Sequence, residues 1–343
     1  VADEYVGARV GVYLPEQDGL INGAILRDIF FEELPDAVNA ALIHCNLDHD
    51  DLQTFVETME DADQVRQLLP AHGLVSFAAE GALLNRETGG DAPDADHPHR
   101  FALDPALRVE LDVPNKGRIA GLGIRDGITV VLGGLYSGRV ELMQALAAGI
   151  FNHIPGDGRE FVISAPDAVY IANDPLRSVQ KVDVSTFIGR KPEAVTEQFT
   201  ETEAGPFESQ AASLVEQIEV GAGVLMFDES DSAPSFLSLD GRIAEFTDDA
   251  NSDLTSLAGC ARRLVDDLGL SLIVAGASSV AEFLPIADTV LRISGYRVED
   301  VTQEAKTKGV EALRKSIDAE IGNLSSMSRW VVPSSIDSSA GVE

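Results

Sequence analysis

Gly133-Gly134-Leu135-Tyr136-Ser137-Gly138-Arg139-Val140 is the stretch whose reading decides the fold of this chain. Its glycines stand at the spacing of a phosphate-binding P-loop, with Arg139 and Val140 where that loop carries Lys and Ser or Thr. The preceding run, Gly127-Ile128-Thr129-Val130-Val131-Leu132, is apolar and β-branched and predicts a buried strand. After the loop, Met143, Leu146, Ala147 and Ile150 recur at helical spacing. Strand, glycine loop and helix in that order are the context a phosphate cradle needs. The glycines admit backbone N–H groups to phosphate oxygens, and the helix presents its positive end. Gly133, Gly134, Ser137, Gly138, Arg139 and Val140 are therefore the candidate cradle. Arg139 supplies positive charge, but its planar fork does not replace a compact ammonium, and Val140 has no oxygen to offer Mg2+. The competing reading of the loop by itself is a glycine-rich strand-to-helix turn without a ligand.

A second element stands at a suitable distance along the chain. Gly223-Val224-Leu225-Met226-Phe227-Asp228-Glu229 is an apolar strand closing on two adjacent carboxylates, the pattern of a Walker B strand. In that role Asp228 holds Mg2+ and Glu229 polarises the attacking water. In a chain this acidic, an Asp-Glu pair after a strand is also what a solvated loop contains.

With both elements in place, the chain resembles the family of predicted ATPases of the ABC class, over nearly its whole length. The resemblance runs through Phe31-Glu32-Glu33-Leu34-Pro35, Asn46-Leu47-Asp48 and Leu111-Asp112-Val113-Pro114-Asn115-Lys116-Gly117. Its most specific stretch is Asn152-His153-Ile154-Pro155-Gly156-Asp157-Gly158-Arg159-Glu160-Phe161; Ala287-Asp288-Thr289-Val290, Tyr296-Arg297 and Asp300-Val301-Thr302 complete it. The resemblance implies a soluble ABC-type P-loop fold, ATP and Mg2+ as cofactors, and head-to-tail dimers in which a signature loop of one subunit caps the nucleotide of the other. It places the signature at Gly205-Pro206-Phe207-Glu208-Ser209-Gln210-Ala211-Ala212, with Ser209 and Gln210 as the retained nucleotide-facing residues.

The departures from the family pattern fall on its chemistry. The family's loop ends Gly-Lys-Ser-Thr; this one reads Gly138-Arg139-Val140-Glu141 and adds a negative charge beside the phosphates. In the signature, small donors are replaced by Pro206, Phe207 and Glu208, which remove an N–H, add bulk and repel anions. Where the family has a Ser-Gly-Asp turn, the chain reads Ser278-Ser279-Val280-Ala281-Glu282.

Twenty-five Lys and Arg against 57 Asp and Glu give a formal charge of −32, with arginine outnumbering lysine. Such a surface suits multimolar salt, where screening suppresses self-repulsion, and it predicts a salt-adapted, haloarchaeal-like cytoplasmic protein. An acidic mimic of nucleic acid, or a binder of basic partners, is the alternative; the even spread of acids favours salt adaptation. Direct nucleic-acid binding requires a localised basic patch, and Arg262-Arg263 with scattered arginines is all the chain offers. No apolar run reaches transmembrane length and no leader pattern opens the chain. It begins with Val and carries less flanking sequence than the family, which fits a fragment, a processed form or a shortened relative.

The order of elements predicts an α/β fold: a P-loop NTPase of ABC-ATPase type with a short antiparallel β layer, preceded by a smaller α+β segment. The expected divisions are an α+β segment over residues 1–105, the ATPase domain over 106–300, and a helix with a weakly ordered tail over 301–343. Helices are expected at Ile25–Ala41, Asp50–Leu69, Asp253–Leu268 and Thr302–Ile321, strands at Leu270–Ala275 and Asp288–Ile293, and the tail at Ser325–Glu343. Asn85–Arg100 reads as a Gly/Asp/Pro/His linker whose His97-Pro98-His99 lacks a third ligand for a metal. His153 sits in the family-like block and suits a structural hydrogen bond as well as it suits catalysis. Cys45 and Cys260 make no disulfide framework; Cys260 beside an apolar stripe reads as a small buried residue.

Two functional expectations follow. One is an ATP-binding ABC-class ATPase with impaired hydrolysis that forms a homodimer. The other is a pseudo-ATPase, a scaffold or interaction subunit that pairs with an intact relative to complete one composite site.

Overall fold

The computed structural model describes residues 8, 10–17, 19–87, 90–94, 97–189, 195–239 and 254–312. The tail expected at Ser325–Glu343 and the last turns of the helix expected to Ile321 lie outside these residues. The chain forms two compact units, Val1–Thr58 and Met59–Glu343.

The first unit holds a small hairpin, β1 (Glu16–Gln17) with β2 (Leu20–Ile21), followed by α1 (Gly23–Asp28) and α2 (Leu34–Leu42). The single helix expected over Ile25–Ala41 is interrupted by a π-helical turn at Ile29–Glu33. Pro35, at the start of α2, has no N–H for an intrahelical bond, so the chain restarts its helix there. Asp48 Oδ1 accepts from the N–H groups of Asp50 and Asp51 and caps α3 (His49–Leu68), which runs across the division between the units.

The second unit is built on two sheets. A seven-stranded sheet has the order β4 (Ala102–Leu103), β15 (Arg297–Asp300), β14 (Thr289–Ser294), β7 (Ile128–Leu132), β13 (Ser271–Gly276), β12 (Val224–Asp228), β9 (Ala168–Tyr170). From β14 to β9 all neighbours are parallel. Those central strands are buried on both faces, so their residues alternate between two apolar clusters. Val130, Phe227 and Val274 enter one, and Val131, Met226 and Ala275 enter the other. The first cluster is closed by α5 (Pro206–Glu219) and α6 (Leu257–Leu268); the second by α4 (Arg139–Ala148). Ser256 caps α6 through the Gly259 N–H, so this helix starts at Leu257, four residues after the expected Asp253.

A four-stranded antiparallel sheet, in the order β5 (Arg108–Val113), β6 (Gly117–Arg125), β3 (Leu74–Ala79), β8 (Val162–Ser164), forms the second layer. The expected strand–turn–strand is β5 and β6; β3 from upstream and β8 from beyond α4 widen it. One face packs Phe77, Leu111, Ile119 and Ile163 against Ala62, Val65 and Leu69 of α3 and its end. The opposite face joins the α4 cluster through Val75, Ala78, Leu122 and Val162. A small pair, β10 (Val179–Val182) with β11 (Phe199–Glu201), and the helix α7 (Thr302–Ala312) complete the described elements.

Candidate nucleotide site

The parallel strands β7, β13 and β12 lie side by side and end level, Leu132 opposite Gly276 and Ala275 opposite Asp228. Three loops therefore leave the same edge of the sheet: Gly133–Gly138, Asp228–Glu229 and Ala277–Ser279. Ligand sites of open parallel sheets lie beyond this carboxyl edge.

The glycine loop enters α4 at Gly138, whose φ of 91° suits glycine, and an added Cβ there would meet the Tyr296 ring at 2.8 Å. Leu135 and Tyr136 form the exposed tip, 90% and 94% accessible, with Tyr136 at φ 58°. Ser137 turns inward: its hydroxyl donates to the Gly134 carbonyl at 2.8 Å and accepts from the Arg139 N–H at 3.3 Å. One N–H at the start of α4, of the kind a phosphate oxygen would use, is thus satisfied inside the loop.

Arg139 is buried and runs along the sheet edge to the carboxylates. Its Nη2 donates to Asp228 Oδ1 at 3.1 Å, and its Nη1 lies 3.6 Å from Glu229 Oε2. Asp228 is fully buried, and the same Oδ1 also accepts from the Ser230 N–H at 2.8 Å and the Ser230 hydroxyl at 2.6 Å. The contact is end-on rather than a bidentate fork: Asp228 Oδ2 and Arg139 Nε are buried without a hydrogen-bond partner.

Glu229 is held from the other side. Its Oε2 accepts from the Ala277 N–H and, at 3.1 Å, from the Ser278 N–H. Its Oε1 accepts from the Ser278 hydroxyl at 2.5 Å and from the Ser279 N–H and hydroxyl at 3.1 and 2.8 Å. Burial raises the carboxyl pKa, but these backbone and hydroxyl donors outweigh it and bring it down to about 2. A group so acidic is poorly matched to proton abstraction near neutral pH.

Ser209 and Gln210 occupy the first turns of α5, both fully buried. The Ser209 hydroxyl donates to the Asp174 carbonyl and accepts from Arg177 Nε, while Gln210 receives the Ala233 N–H at 2.7 Å and donates to Ile171 O. Gln210 also donates to Ser232 Oγ at 3.2 Å, whose hydroxyl donates to the Asp228 carbonyl at 2.8 Å. A partly buried polar chain thus links the signature position to the Asp228 backbone, whereas Gly133, Gly134 and Val140 make no polar contact with Ser209 or Gln210 among the described residues.

The hydrogen-bonding roles of Ser230, Ser278 and Ser279 do not show in sequence spacing, whereas Ser137, expected in the cradle, bonds within its own loop. The one available signal was a serine within two positions of each carboxyl-end turn. Two further residues take structural places: His99 stacks on the Tyr296 ring at 4.6 Å, and His153 Nδ1 lies 2.7 Å from Asp157 Oδ2. Burial lowers the His153 pKa; Asp157 opposes the shift, and Arg159 and Arg86 add to it. Cys260 is buried, which pushes its thiol up to about 12.

The family model described as an ABC_ATPase P-loop domain matches residues 48–327. The chain belongs to the ABC_ATPase family. No curated protein matches it. Among solved structures this ABC_ATPase chain is similar to cbiO1 from Clostridium perfringens, part of the ABC transporter complex cbiONQ. The identity is 15% and the TM-score 0.42, over 70% of this chain and 96% of that one. It is also similar to a putative metal-chelate type ABC transporter in an inward-facing conformation, at 12% identity and a TM-score of 0.38, over 70% of this chain and 89% of that one. Among the described residues, no helix of the ABC_ATPase chain is long and apolar enough to cross a membrane.

Proposed function

We propose that this chain is a non-hydrolysing member of the ABC_ATPase family, a pseudo-ATPase whose former catalytic centre is closed by its own side chains. The observation that carries the reading is the Arg139 guanidinium, 3.1 Å from Asp228 and 3.6 Å from Glu229. P-loop domains place Mg2+ between the acidic strand end and the loop hydroxyl. Here a guanidinium stands against both carboxylates, Val140 has no hydroxyl, and every Glu229 oxygen is engaged. The one unpartnered carboxylate oxygen, Asp228 Oδ2, belongs to the group already paired with Arg139. Mg2+ does not fit these residues, and a dication beside the guanidinium would be repelled.

On this reading the fold serves association. The loop tip that would face a nucleotide instead presents Leu135 and Tyr136 to solvent, side chains suited to burial against a partner subunit. An intact relative supplying the Lys and hydroxyl missing here is the partner proposed, with a second copy of the chain as the alternative arrangement. The charge of −32 supports a salt-rich cytoplasmic setting.

ATP turnover by the full chain in multimolar KCl with Mg2+ tests the proposal. It predicts turnover indistinguishable from a Glu229→Gln control. Mg2+-dependent turnover that this substitution removes would overturn it.

A further inference from the structure

Two of the segments that carry the family resemblance take no part in the site above, and the fold brings them together. Leu111–Gly117 supplies the turn between β5 and β6; Ile154–Phe161 follows α4 and leads into β8. With Ala79–Leu83 and Arg100 they enclose an open cavity of about 490 Å3, lined by no residue of the glycine loop. We propose that this cavity is a second binding site, for a small phosphate-bearing anion of the sugar-phosphate or nucleotide class.

The charge balance of the cavity runs against the rest of the molecule. In a chain with 57 acids and 25 Lys and Arg, most of the described cations stand in ion pairs. Of the acids lining the cavity, Glu80 is paired with Arg108, and Glu160 turns back to accept the Gly156 N–H at 2.6 Å. Arg118 is paired with Glu110 and Asp112. Arg100 donates to the Gly81 carbonyl at 3.2 Å, and Lys116 lies over the Phe161 ring at 4.7 Å. Neither Arg100 nor Lys116 has a carboxylate partner among the described residues. An anion entering the cavity meets two cations that are not ion-paired, Arg100 and Lys116, against one carboxylate, Glu160, that has no cation partner among the described residues.

Lys116 is also preorganised. The buried Asp61 carboxylate accepts the Asn115 N–H at 2.9 Å and the Lys116 N–H at 2.8 Å, fixing the turn from beneath. The Phe161 ring then takes the Lys116 ammonium over its face, which restricts the side chain before a ligand arrives. The wall opposite is backbone: at Gly158, φ 79°, an added Cβ would meet Leu83 at 2.7 Å, and only a residue without one lets the two segments approach. The N–H groups of Ala79, Glu80, Gly81, Ala82, Leu83 and Gly156 are engaged within the protein, so the two cations carry the recognition, while 490 Å3 matches a molecule of sugar-phosphate or nucleotide size.

Calorimetric titration of the full chain with inorganic pyrophosphate, then with ADP in EDTA, tests the assignment. Saturable binding is expected, weakened about tenfold or more by Lys116→Gln and again by Arg100→Gln. Arg292→Gln, which removes an exposed cation on β14 of the seven-stranded sheet, should leave it unchanged. Both cavity substitutions are on exposed side chains, and circular dichroism verifies the fold of each variant. Absence of binding, or equal affinity in the Lys116→Gln/Arg100→Gln double variant, would overturn the proposal; the second result would assign the anion to another site.

Discussion

Arg139 and Asp228, 89 positions apart in sequence, form an ion pair in which the carboxylate is wholly buried and the guanidinium nearly so. The pair ties the start of α4 to the end of β12 across β13. Glu229 extends it to the Ala277–Ser279 loop, so all three loops at the carboxyl edge are joined by charge and hydrogen bonds.

Breaking that pair from one side leaves a buried charge uncompensated. Arg139→Ala should cost about 3–5 kcal/mol, while Arg139→Met with Asp228→Leu should cost far less or nothing. Denaturant midpoints in KCl measure both. Equal losses in the two variants would mean that packing, not charge, holds the loops.

Glu229 sets an acid-side dependence. Its folded pKa of about 2 lies below the ordinary 4.5, so the unfolded chain binds its proton more readily. The stability this gives is complete above about pH 5 and is lost as the pH falls towards 2. Glu229→Gln should be less stable than the parent at pH 7, and the gap should narrow steadily down to pH 2. A gap independent of pH, followed by circular dichroism, would contradict the hydrogen-bonded carboxylate.

Restoring the missing chemistry should restore the ligand. Arg139→Lys with Val140→Ser frees room at the carboxylates and returns a hydroxyl, and Mg2+-dependent ATP affinity should rise at least about tenfold, roughly 1.4 kcal/mol. Binding of a fluorescent ATP analogue reads this directly. Unchanged affinity would count against a phosphate cradle at Gly133–Gly138.

Asp61 carries the turn that presents Lys116. Asp61→Ala removes the acceptor of two backbone N–H groups and should cost about 1–3 kcal/mol in thermal unfolding. An unaltered melting temperature would show that the turn holds itself.

With 57 acids spread through the chain, self-repulsion should dominate at low ionic strength. The melting temperature is expected to climb with KCl from millimolar to multimolar concentration, and a flat profile would remove the argument for salt adaptation.

Much of this molecule was legible in one dimension because its signals are local. The β-branched run at Ile128–Leu132, the glycines at 133, 134 and 138, and the apolar strand ending at Asp228 each fold by short-range rules, so the α/β P-loop class and its two motifs followed from spacing. The loss of Lys and of the Mg2+ hydroxyl at Arg139 and Val140 was equally visible. Where Arg139 would point was not. That depends on β13 separating β7 from β12 and bringing two loops far apart in sequence to one edge. The grip of Ser278 and Ser279 on Glu229, and the meeting of Lys116 with Phe161, were hidden for the same reason. Residue spacing encodes which elements form; only the packing of those elements, driven by burial of both faces of the central sheet, decides which distant charges become neighbours.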